Sequence, residues 1–128
     1  MRYLMILLCI LLGPCTCTPA DIKAIENFEL QRYLGQWYEI ARLDHSFERG
    51  LSHVSAHYTL NSDGSITVTN RGFKADKNLW DEAQGRALMA EDPTVGYLKI
   101  SFFGPFFGSY VIFELDQLHY QYAFVQLQ

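Results

Sequence analysis

Seven short runs in this chain alternate apolar and polar residues, and turn signals separate them. A period of two puts successive side chains on opposite faces of a strand, so each run reads as a half-buried β-strand. In the first, Trp37, Glu39, Ala41 and Leu43 share one face, and Tyr38, Ile40 and Arg42 the other. In the second, Val54, Ala56, Tyr58 and Leu60 alternate with Ser55, His57 and Thr59. Asn61-Ser62-Asp63-Gly64 is a turn before the third, where Ile66, Val68 and Asn70 alternate with Thr67, Thr69 and Arg71. Four more runs follow, over 84–89, 97–102, 109–115 and 120–127. Asp76-Lys77-Asn78, Glu91-Asp92-Pro93 and Gly104-Pro105 punctuate them. Short links between sequence neighbours predict an all-β antiparallel meander, and closing such a sheet gives an up-and-down barrel. Phe28, Leu30, Tyr33 and Leu34 contain an i, i+3, i+4 spacing, which predicts a short helical turn before the first strand.

Continuing the Trp37 face across matched turns predicts which side chains look inward. They are Glu39, Ala41, Val54, Ala56, Tyr58, Ile66, Val68, Leu98, Ile100 and Phe102. For the strand after Ser109, Val111 and Phe113 are assigned inward, because the opposite face carries Glu114. These twelve residues are the candidate ligand-binding wall. Four phenylalanines, Phe102, Phe103, Phe106 and Phe107, surround Gly104-Pro105. They form either an exposed interaction patch or a packed hairpin tip.

Residues 1–17 read as a separate object. Arg2 is followed by an apolar run, Tyr3 to Leu12, too short to cross a bilayer and suited to a signal peptide. All three cysteines, Cys9, Cys15 and Cys17, lie there, so the domain at 18–128 has no internal disulfide. Leu12-Gly13-Pro14-Cys15 fits a lipoprotein signal except at Pro14, which makes Cys15 a candidate lipidation site; the alternative is an ordinary secretory signal. Stable anchoring needs more than one acyl chain.

The chemistry of catalysis is hard to find. With a net charge of −4 the chain has no basic stripe to neutralise phosphates, so no nucleic acid is expected as a partner. His53 and His57 are four apart, but on a strand that separation is about 13 Å, too far for one metal ion. No Gly-x-Ser-x-Gly occurs, and no cysteine follows residue 17, so a nucleophile is lacking. Neither a cofactor nor a metal is expected. Glu39 on an inward face is either a polar anchor for a ligand head group or an acid paired with a nearby basic or hydroxyl side chain.

Three blocks carry a family resemblance: YLGQWYEIARLDHSFERGL from Tyr33, YTLNSDGSITVTNRGF from Tyr58 and SFFGPFF from Ser101. In this order and spacing they resemble the lipocalins, most of all the bacterial outer-membrane and apolipoprotein D-like members. The resemblance runs over about Ile25 to Val125. It implies that Gly35 and Trp37 are the Gly-x-Trp motif at the closed end of a barrel, with Trp37 packed under an arginine. It implies that the segment from Asp44 to Ser52 is a lid at the mouth. The family pattern has eight strands and a C-terminal helix, so the eighth strand, its arginine and the helix are expected to be missing. Two open edges would then invite homodimerisation through the seam.

The implied function is binding, storage or transport of small hydrophobic ligands such as fatty acids or lysophospholipids, without catalysis. Tyr58 or Arg49 would anchor a head group. The implied location is the cell envelope, on a bacterial outer membrane through a lipid anchor, or else secreted or periplasmic. The alternatives are an envelope interaction module, a nonfunctional truncated barrel or, on weaker grounds, a lipid-metabolising enzyme.

Overall fold

The alternating runs pair with their neighbours in chain order and the sheet closes on itself. The computed structural model describes residues 1–7, 22–43 and 49–128. Cys9, Cys15, Cys17 and residues 44–48 of the expected lid lie outside the described residues. Nine elements follow along the chain: β1 (Tyr3–Leu7), α1 (Leu30–Tyr33), β2 (Gly35–Arg42), β3 (Leu51–Leu60), β4 (Ile66–Lys74), β5 (Leu79–Met89), β6 (Tyr97–Phe103), β7 (Phe106–Leu115) and β8 (Tyr122–Leu127). The eight strands form one closed barrel in sequence order. Every pair from β2·β3 to β7·β8 is antiparallel.

The turns act as their chemistry predicts. Between β3 and β4, Gly64 takes φ +88, and the Asp63 carboxylate accepts from the Ser65 amide and hydroxyl. This fixes a register with Tyr58 opposite Val68 and Thr59 opposite Thr67, so one face of both strands turns inward. The β3–β4, β5–β6 and β7–β8 turns share one end. The segment before β2 plugs that end: Ile25 exchanges backbone bonds with Ile112 and Gly96, and Phe28 and Tyr33 are buried. α1 is the short turn the spacing predicts.

Closure differs from expectation. The seam between β2 and β8 is filled by β1, a segment read from the sequence as part of a leader. β1 runs parallel to both neighbours, with Tyr3 opposite Tyr38 and Tyr122, and Leu4 opposite Glu39 and Ala123. Leu4 is buried in the core. The physical reason is that two strand edges of unpaired N–H and C=O groups take whatever extended apolar segment can reach them.

The arginine expected to be missing is also supplied. Arg2 donates to the carbonyls of Arg32 and Leu34 at 2.9 and 2.7 Å, and its guanidinium carbon lies 4.9 Å from the Trp37 ring centre. A Cβ on Gly35 would meet the Arg2 guanidinium at 2.6 Å, and Gly35 takes φ +99, so this position requires glycine.

Candidate ligand cavity

The barrel interior has two halves with different packing. The closed half is solid. Trp37 is fully buried against Tyr33, with ring centres 4.7 Å apart, and its indole N–H donates to the Tyr33 carbonyl at 2.7 Å. Ile66, Val68, Ala87, Leu98, Ile112 and Val125 fill the space around them. Three hydroxyls are shared there: Tyr110 bonds Tyr33 at 2.6 Å and Tyr58 at 2.8 Å. Burial, reinforced by the neighbouring phenols, pushes the Tyr33 and Tyr110 hydroxyls well above the usual tyrosine range. They are neutral donors and acceptors at any physiological pH.

The mouth half holds a cavity of about 400 Å³. That lies within the range of roughly 300 to 1,000 Å³ usual for small-molecule pockets. Leu51, Val54, Ile100, Phe102, Phe103, Phe106 and Leu127 give it an apolar wall. Asn70, Asp81, Glu82 and Ser109 add a few polar groups at its edge. Asp81 is ion-paired with Lys74 at 3.0 Å, which holds its carboxyl below the usual range.

The twelve residues assigned inward separate into groups. Val54, Ile100 and Phe102 line the cavity. Ala56, Tyr58, Ile66, Val68 and Leu98 point inward but belong to the buried core cluster and not to the cavity wall. The Tyr58 hydroxyl is engaged with Tyr110, so it is not the head-group anchor suggested by the sequence. Glu39 is inside, its side chain 4% exposed, and is paired with Arg42 at 2.5 Å. Arg42 also donates to the Leu51 carbonyl at 2.9 Å, tying the mouth end of β2 to β3. This is the paired-acid alternative. Ala41 is exposed near the mouth.

Val111 and Phe113 were assigned to the wrong face. Tyr110 and Ile112 are the buried residues of β7. Phe113 instead stacks with Phe124 on the other side of the sheet, ring centres 6.0 Å apart. The cause is a register shift between Ile112 and Glu114. It reverses the phase, so Glu114 is exposed although it is two residues beyond an inward one, and Leu115 is buried. Glu114 was therefore a false marker for the outer face.

Leu51, Gly72 and Leu127 were missed. Gly72 extends the series Ile66, Val68, Asn70, and Leu127 extends Ala123, Val125, so continued alternation signals both. Leu51 carries no such signal, because a register shift lies between Ser52 and Ser55. Among the described residues, no group of three or more His, Cys, Asp or Glu is placed to hold a metal ion.

Comparison with known proteins agrees with this geometry. The Lipocalin-like domain family matches residues 28–127. The outer membrane lipoprotein Blc of Vibrio cholerae serotype O1 is 56% identical over 126 residues, covering 98% of this chain and 74% of that protein. Blc of Escherichia coli K12 is 47% identical over 107 residues, covering 84% of this chain and 60% of that one. Apolipoprotein D of Rattus norvegicus is 35% identical over 92 residues, covering 72% of this chain and 46% of its own length. The chain thus spans about half to three quarters of these relatives. Among solved structures, the cockroach allergen Per a 4 superposes with a TM-score of 0.59 at 21% identity, over 73% of this chain and 56% of that one, a likeness of fold.

Proposed function

The chain belongs to the lipocalin family, and from that premise we propose that it binds small hydrophobic ligands in the mouth half of the barrel. The observation that carries this is the apolar cavity of about 400 Å³ above a solidly packed closed end. Burying an acyl chain there would contribute about 0.8 kcal/mol per CH₂. Fatty acids and lysophospholipids suit such a site, because one apolar tail fits a single narrow cavity. The closed half offers no anchor for their polar ends, since its three hydroxyls bond one another; the polar groups that line the cavity, Asn70 and Ser109 among them, serve instead. No turnover is expected: among the described residues of the wall, Ser109 bonds the Tyr97 hydroxyl and not a general base, and Asp81 is paired with Lys74.

The location is supported by the leader and by the names of the bacterial relatives, which are outer membrane lipoproteins. Residues 1–17 are a signal segment, and Cys15 carries lipid that holds the 18–128 domain at the outer membrane. Processing before Cys15 would take β1 with it and reopen the seam between β2 and β8. Homodimerisation through that seam belongs to the processed form. An intact mass of the protein from its native envelope tests this: acyl chains on Cys15 are expected. A full-length chain with Met1 retained and no acyl mass would overturn the anchor. The Cys15→Ser variant should leave the membrane fraction.

A second reading, an interaction module, draws on Phe103, Phe106 and Phe107, which are exposed at the hairpin tip. Lipid extraction of the purified full chain followed by mass spectrometry separates the two. Co-purified single-chain lipid supports binding; a protein that carries none and takes up none supports the module.

A further inference from the structure

The barrel wall is not continuous around the cavity. β5 begins at Leu79, yet it pairs with β6 only over Arg86–Met89. The β5 residues before Gly85 are all exposed. Facing them across the gap is the β6–β7 hairpin, with Phe103 opposite Phe106. These two side chains are 68% and 77% exposed, and both also line the cavity. Asp81, Glu82 and Ala83 line it from the other bank. The cavity therefore reaches the outside between the two banks.

A second depression, of about 490 Å³, lies at the lower end of this gap. Asn61, Thr67, Gln84, Arg86 and Phe107 form it. Phe102 belongs to both spaces. Its ring lies 2.8 Å from where a Cβ on Gly85 would stand, and the Ser101 carbonyl oxygen lies 2.7 Å from the same point. Only glycine leaves room for that ring, which forms the partition between an apolar cavity and a polar groove.

We propose that the cavity fills from the side: a single-chain amphiphile passes its tail through the β5–β6 gap, past Phe102, and leaves its polar head in the outer groove. This rests on the lipid-binding reading above. The gap crosses no strand ladder, so opening it breaks no backbone hydrogen bond. Moving Phe102 is a rotation of one side chain whose neighbours at the hairpin are already exposed. The groove offers the Gln84 amide, and Asn61 and Thr67, which bond each other at 3.0 Å, keep a second amide N–H and the hydroxyl lone pairs for a ligand. It also offers the Arg86 guanidinium, which bonds Asp63 at 3.1 Å at the surface. A head group that hydrogen-bonds gains partners there, and a wholly apolar molecule gains none.

The test uses the full chain and a hexadecyl amphiphile with a benzophenone at its polar end. Illumination of the saturated complex should attach the probe to Gln84, Arg86 or Phe107. In stopped-flow uptake, Phe102→Ala should raise association and dissociation rates together, by about tenfold, with a smaller change in affinity. Attachment to residues 43–50, or unchanged rates in a folded Phe102→Ala protein, would overturn side entry while leaving lipid binding intact. Failure of the wild-type chain to take up the probe at all would instead overturn the lipid-binding reading, and the portal with it.

Discussion

Tyr33, Tyr58 and Tyr110 join their hydroxyls by two hydrogen bonds in the closed half of the barrel. Tyr110 is the centre, so Tyr110→Phe removes both of these bonds from the buried cluster. The expected loss is about 1–3 kcal/mol, read as a lower urea midpoint at unchanged slope. Burial raises the Tyr33 and Tyr110 pKa, so the folded chain keeps protons that the unfolded chain releases near the ordinary value of 10.0. The stability they contribute is fully present below that pH and is lost as pH rises beyond it. Thermal unfolding followed across the alkaline range should show Tm falling above about pH 10, and less steeply in Tyr110→Phe. The inward side of β3 and β4 was legible residue by residue, because the alternation holds from Val54 to Tyr58 and resumes after the turn from Ile66 to Val68. The inward side of β7 was not. A one-residue shift after Ile112 leaves no mark on composition, and it reverses the meaning of Glu114.

At the scale of elements, β1 and β5 are the least legible from the sequence. A continuous apolar run has no period, so the same residues read as a leader or as a buried strand. In the structure Leu4 is 1% exposed between β2 and β8. Leu4→Ala in the full chain should therefore cost about 2–5 kcal/mol, as large-to-small changes in a core do. An unchanged denaturation midpoint would show that the segment is not part of the folded wall. Arg2→Lys should also destabilise, because one ammonium cannot reproduce a fork that reaches two carbonyls and lies over an indole. β5 was read only from Gln84, whereas the strand starts at Leu79. Its first half buries neither face, so it carries no hydrophobic alternation to detect. That exposed half borders the gap in the wall.

For the whole molecule, the fold was legible because the meander, its turns and the family blocks all point to one barrel. The cavity was only partly legible. Alternation says which side chains point inward, but not how far the closed end is packed. Trp37, the tyrosines and the Phe28 plug fill the lower half, and the free volume lies above them. A site in that volume should lose affinity when a charge is placed on its wall and keep it when one is placed on the outer sheet face. The most direct measurement is a calorimetric titration of the monomeric full chain with a C16 single-chain amphiphile, comparing wild type with Ile100→Arg and Val111→Arg. Saturable one-to-one binding by wild type and Val111→Arg, weakened at least about tenfold in Ile100→Arg, is the expected result. Equal binding by Ile100→Arg, or no saturable binding by the wild-type chain, would contradict a ligand site inside the barrel.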